Sequence, residues 1–255
     1  MKKFFLLFFL LPLVFVSLCY SQSPSTQPGL PLPELNISLR QTDNPNEFTS
    51  TLQVFIILTV LSIAPSFLIM MTSFTRFIVV FAFLRQGLAI PQIPPNQVLA
   101  GLALFLTFFV MAPIIKSIND EALQPYLTSE IGQREAFEKA LSPIRDFMLK
   151  QTRTDDIQLM QRLSGLGAIE SKADLPTHVL IPSFIISELT TAFTIGFLLF
   201  IPFLVIDMVV ASILMAMGML MVPPISISLP FKILLFVLVD GWNLLIYSLV
   251  SGIKG

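Results

Sequence analysis

Few side chains in this sequence are of types that do acid–base, nucleophilic or metal chemistry, and their spacing suits none of these well. His178 is the only histidine, so one chain supplies neither a Ser-His-Asp triad nor a multi-histidine metal site. No glycine-rich loop with a following lysine and no His-Glu-x-x-His run exists to hold a phosphate or a zinc ion. Asp207 and Asp240 lie in apolar surroundings and are the only candidates for an intramembrane aspartyl pair, but neither sits in a recognisable protease motif. The expectation is a non-enzyme with no catalytic residue, cofactor or metal.

The same residues pose a different question. Over residues 179–250 the only formal charges are Glu188, Asp207, Lys232 and Asp240. A charge in a low-dielectric setting is costly unless it is paired or wet. Lys232 and Asp240 are eight residues apart, which places them on one helix face but too far apart to pair directly. Two readings follow. Each meets an opposite charge on another helix or subunit and fixes assembly register, or together they line an ion or proton path. Glu188 stands among Ser187, Thr190, Thr191 and Thr194, whose hydroxyls it could accept from, and an inter-subunit contact is preferred to a proton relay.

The run Met215-Ala216-Met217-Gly218-Met219-Leu220-Met221-Val222-Pro223-Pro224 is the most distinctive stretch. Methionine is unbranched and soft and adapts to irregular partners. The two prolines cannot extend a helix, so the run ends in a bend. Deformable apolar side chains at a forced bend fit a seal or adaptable contact; the competing reading is packed helix core.

These features sit in a chain that is 55% hydrophobic and 12% charged, against roughly 25% charged in a soluble domain. That is the composition of a membrane or membrane-derived protein. The net charge of −1 provides no basic field for nucleic acid. Residues 1–21 read as a signal peptide: Lys2 and Lys3, then apolar Phe4 to Val16, then small residues around Cys19, the only cysteine. An uncleaved anchor is the alternative. Residues 22–47, rich in Pro, Ser, Gln and Asn, read as a flexible linker. Residues 48–115 are apolar with turn signals at Gly87, Pro91, Pro94 and Pro95 and are expected to form a helical hairpin region.

Between Lys116 and Asp174 lie more than half of all charged residues. Residues 116–178 are therefore expected to be a small charged helical domain on the extracytoplasmic side. Phe137, Leu141, Ile144 and Met148 recur at helical spacing, and Thr154-Asp155-Asp156 looks like the start of a further helix that Gly165 and Gly167 would end. Residues 179–255 are a second apolar hairpin region, with breaks expected at Pro182 and Pro202 and a last helix over 231–250. The fold class is all-α: membrane-derived hairpins with proline-broken helices, four spans after the signal peptide. Broken helices at membrane depth need protein over their freed backbone groups, which points to burial against other subunits.

Several runs carry a resemblance. Met70-Met71-Thr72-Ser73-Phe74-Thr75-Arg76 is one. Pro94-Pro95-Asn96-Gln97-Val98-Leu99 leading into Gly101 to Phe109 is another. Phe147 to Arg153, Pro230-Phe231-Lys232 and Leu238-Val239-Asp240-Gly241-Trp242 complete the set. Over roughly residues 48–250 the sequence resembles the FliP family of type III secretion export gates, flagellar and injectisome. The resemblance implies a pore-forming subunit of the flagellar export gate at the inner membrane and basal body. It implies a pentamer that assembles with FliQ-like and FliR-like subunits and larger gate proteins. Unfolded flagellar substrates would pass through it. It also implies that the gate rises above the membrane plane, and that a methionine-rich gasket falls on Met219, Leu220 and Met221, with Leu where relatives carry a third Met. Phe147, Met160 and Glu188 match the positions where family subunits meet, and Thr190 stands where some relatives have Lys. A secondary transporter or proton-conducting channel is the alternative, motivated by Glu188, Asp207, Lys232 and Asp240.

Overall fold

A computed structural model of the chain describes residues 45–165, 174–219 and 221–254. The signal peptide, nearly all of the linker, Gly167 and Leu220 lie outside the described residues. The chain divides into two units, residues 1–56 and 57–255. Of the first unit, only the opening turns of helix α1 (Pro45–Met70) are described. The charged stretch lies within the larger unit. Among the described residues the fold is all helix, as expected, with no strand.

Helix α2 (Phe74–Gly87) is the centre of the core. Its buried residues Arg76, Phe77, Val80, Phe81, Leu84 and Gly87 recur at the three-and-four spacing that puts them on one face. The short apolar stretch bracketed by Arg76 and Arg85 is thus a separate helix, one face of which its neighbours cover. Helix α3 (Asn96–Ile118) runs into a π-helical turn at Asn119–Leu123 and the single turn α4 (Gln124–Leu127). The charged helices α5 (Gln133–Gln151) and α6 (Thr154–Leu163) follow. Phe147, Met148 and Ile157 are their buried anchors, while Phe137 is exposed.

Helix α7 (Thr177–Ala216) is 40 residues long, roughly 60 Å at 1.5 Å per residue. Pro182 and Pro202 lie inside it and do not break it. Each proline removes one backbone hydrogen bond, and a long apolar helix whose other carbonyls remain paired absorbs that loss. Helices α8 (Pro224–Leu238) and α9 (Gly241–Lys254) follow, bent by 61°. The expected single helix over 231–250 is therefore two, with Asp240 at φ +50° between them. Gly241 makes the bend possible, because a Cβ there would lie 2.3 Å from the Phe236 ring. Phe236 and Phe81 both meet Trp242 edge-on, with ring centroids 5.7 and 6.3 Å away.

Two helical stretches, Asn96–Leu127 and Thr177–Ala216, are long and apolar enough to cross a membrane, and the bent α8–α9 pair makes a third if counted as one. Two or three, among the described residues, stand where four spans were expected. Helix α1, whose described apolar stretch is Val54–Ile63, adds a further candidate outside that count.

Candidate functional site

Helix α7 closes at its C-terminal end on a Schellman motif. Gly218 takes φ +72°, its N–H donates to the carbonyl of Met215, and the N–H of Met219 reaches back to Leu214 at 3.0 Å. This is the glycine-dependent way to satisfy the last carbonyls of a helix and turn the chain out of it. Pro223 and Pro224 then open α8, proline being well tolerated at a first helical position. The sequence thus folds the methionine run into a bend joining α7 to α8.

The methionines on that bend are uncovered. Met215 and Met217 are 61% and 66% exposed, Met219 is 42% and Met221 is 97%. They are not the core of this subunit, so the packed-core reading does not describe the single chain. Leu220 lies outside the described residues.

Two of the four charges of residues 179–250 lie on the helices that flank the bend. Lys232 on α8 is 2% exposed. Its ammonium donates to Asp207 Oδ2 on α7 at 2.6 Å and to the carbonyl oxygen of Gly87, at the end of α2, at 3.1 Å. The buried Ser228 hydroxyl donates to Asp207 Oδ1 at 2.6 Å. Lys232 therefore does meet an opposite charge on another helix, within the same chain. A Cβ on Gly87 would lie 2.8 Å from the Phe203 ring, so only glycine lets that carbonyl come so near α7.

Asp240 behaves otherwise. It was expected among the buried charges, but it is exposed at the α8–α9 bend and accepts a hydrogen bond from Asn243 Nδ2 at 3.1 Å. The helix break carries it off the face it would have shared with Lys232, and it forms no dyad with Asp207.

Glu188 and Phe147 lie in the subunit's own interior. Glu188 is fully buried and is held bidentately by Arg76, Nε to Oε2 at 2.9 Å and Nη2 to Oε1. A second contact from Arg76 Nη2 reaches Gln151 Oε1 at 3.1 Å, and Gln151 Nε2 donates to the carbonyl of Ile253 at 3.0 Å. One network thus joins α2, α5, α7 and α9. The neighbouring hydroxyls turn elsewhere: Thr190 and Thr194 donate to carbonyls of their own helix, and the Ser187 oxygen accepts the N–H of Arg153 at 2.9 Å. Phe147 meets Phe184 edge-on at 5.8 Å, and Met160 is partly buried against the same core. Within one chain these three residues hold the subunit together. Their interfacial role implied by the resemblance would have to act through that packing.

Sequence reasoning did not identify Arg76, Gln151, Gly87 or Ser228 as partners. The arginine inside an otherwise apolar run was the one available signal that an acid must approach it.

Among the described residues no group of three or more His, Cys, Asp or Glu side chains could hold a metal ion. What the geometry offers is a pinned, exposed methionine bend and long apolar faces. Phe105, Phe109, Phe193, Phe197 and Val205 on α3 and α7 are all at least half exposed.

Comparison with known proteins gives the family. Residues 57–249 match the FliP family model. The Flagellar biosynthetic protein FliP of Bacillus subtilis strain 168 is 54% identical over 215 residues, which is 84% of this chain and 97% of the relative. That of Aquifex aeolicus is 52% identical over 78% of this chain and 84% of the relative. That of Borreliella burgdorferi is 43% identical over 98% and 99%. On this similarity, and on its apolar helices, the chain belongs to the FliP family and is a membrane-associated component of the flagellar export apparatus.

Proposed function

We propose that this chain is a pore-forming subunit of the flagellar type III export gate. Sister copies, with FliQ-like and FliR-like subunits, enclose a conduit through which unfolded flagellar substrates cross the inner membrane. Residues 1–21 direct export, residues 22–47 are a tether, and the charged helices α5 and α6 face the periplasm. A pentamer is the stoichiometry expected of the family. The methionine bend, at Met219, Leu220 and Met221, forms the closing ring of that conduit.

The observation that carries this reading is the exposure of Met217, Met219 and Met221 at a bend built by Gly218 and Pro223–Pro224. Thioether chains left uncovered by their own subunit are suited to pack on one another, or on a passing polypeptide of any sequence, because they conform without a fixed shape. The uncovered faces of α3 and α7 supply the apolar area that an enclosing assembly would bury.

Replacing Met219 and Met221 together by Ala in the assembled gate is the test. Potassium leak through reconstituted gates should rise and motility should fall, with assembly yield unchanged. Wild-type leak and motility would overturn the gasket. Ion flux through the purified chain alone, without partner subunits, would instead favour a transporter or proton channel.

A further inference from the structure

Resting on that reading for the role of the methionine bend, we propose that Asp207, Ser228 and Lys232 are positioning residues for the gate: they set the separation of the two helices that carry the bend. The pairing is built at the base of a hairpin. Asp207 lies nine residues before the end of α7, and Ser228 and Lys232 lie one and two turns into α8. One carboxylate takes both oxygens' worth of contact from the opposing helix, Oδ1 from Ser228 and Oδ2 from Lys232, each at 2.6 Å. Lys232 also donates to the carbonyl of Gly87 at 3.1 Å, which fixes the hairpin base to the end of α2 in the core.

Beyond this tie most side chains at the bend end of the two helices are uncovered. Among the described residues between 208 and 227 only Val210 and Leu214 are buried. Asp207, Met208, Ala211, Pro224 and Ile225 line an open cleft of about 350 Å³ between the helices. That cleft is a surface depression, open to whatever surrounds the hairpin. Here the spacing of the two legs rests on a polar clamp at their foot. An ion pair with short hydrogen bonds is directional, whereas apolar contact tolerates sliding. An ion pair with one buried partner is also a poor source of stability compared with well-packed apolar side chains of equal volume, so a role in fixing geometry accounts for it better than a role in holding the fold.

The test uses the complete reconstituted gate, with Cys19→Ser and spin labels at Ala211→Cys and Ile225→Cys. With one labelled copy per gate, the other copies being unlabelled and cysteine-free, the distance between the two labels should be a single narrow distribution. Asp207→Asn with Lys232→Met removes the clamp without leaving a buried charge unpaired. That double variant should assemble at wild-type yield and broaden the distribution. Its closed-state potassium leak should rise about tenfold, as when a minor open population grows from roughly 1% to roughly 10%. Met219→Ala with Met221→Ala should leak while keeping the narrow distance. An unchanged distance in the clamp variant overturns the proposal. Broadening with no leak in either variant leaves the positioning role standing and removes the gasket instead. If the double variant fails to assemble, Ser228→Ala decides: it takes away one strut and no charge, so a broadened distance supports the proposal and an unchanged one overturns it.

Discussion

Among the described residues two acid–base pairs join distant parts of this chain, and their surroundings are opposite. Arg76 and Glu188 are 5% and 1% exposed at the side chain and sit where four helices meet. Lys232 is as deeply buried, but its partner Asp207 is 35% exposed beside a bend and helix faces that this chain leaves bare. Both pairs use helix α7, the first in its N-terminal third and the second in its C-terminal third. The N-terminal part of α7 finds its partners within the same chain. The C-terminal part is pinned at one point and otherwise waits for partners outside it. Only 11% of the most apolar stretch of α7 is buried, which is what a helix destined for an assembly, a bilayer or both should show. The lesson is that burial of an ionic group does not by itself distinguish a structural node from a working one; the packing around it does.

The sharpest way to break the comparison is at the buried end. Arg76→Met strands the Glu188 carboxylate in the core and should cost about 3–5 kcal/mol, seen as loss of accumulation and a lower unfolding midpoint in detergent. Adding Glu188→Leu should restore most of it. A single variant as stable as the parent would show that the node anchors nothing.

A smaller effect is expected from Gly196→Ala. The new Cβ would lie 2.5 Å from two ring atoms of Phe83, which itself stacks edge-on against Phe193 at 5.3 Å. Overpacking of this kind costs about 1–3 kcal/mol, and adding Phe83→Leu should relieve part of it. If Gly196→Ala unfolds like the parent, α2 and α7 are less tightly apposed than described.

The smallest effect on the fold should come from Phe197→Ala on the bare face of α7, where Phe197 is 66% exposed. Stability of the isolated chain should change by no more than about 0.5 kcal/mol, while the yield of assembled gate falls. Equal yields would show that this face meets lipid rather than protein.

Much of this architecture was legible in the sequence. The apolar and charged division, the helical stripe through Ile144 and Met148 and the start of α6 at Thr154 are local patterns, and local patterns survive folding. The bend at Gly218 and Pro223–Pro224 was likewise legible, because glycine and proline act on their own backbone. Prolines 182 and 202 were misleading for a physical reason: one missing hydrogen bond in a 40-residue helix is tolerated when its neighbours are intact. The break at Asp240 had a signal that went unused, since Asp-Gly is a turn dipeptide. The ionic pairs were only half legible. The need for partners followed from the cost of buried charge, but Arg76 and Glu188 are 112 residues apart, and no periodicity reaches that far. The same limit hid the interior placement of Phe147, because helical spacing says that a residue faces something without saying what.

Helix α7 has one further consequence. At roughly 60 Å it is about twice as tall as the hydrocarbon layer of a bilayer, near 30 Å. Lipid thickness alone does not dictate where such a mast stands, since tilting, kinking or local thickening of the membrane can each accommodate a helix longer than the layer. Its position is then set by the charged helices packed on its N-terminal portion and by whatever embraces the bare C-terminal portion. Changes in acyl-chain length should therefore leave the height of the methionine bend almost untouched.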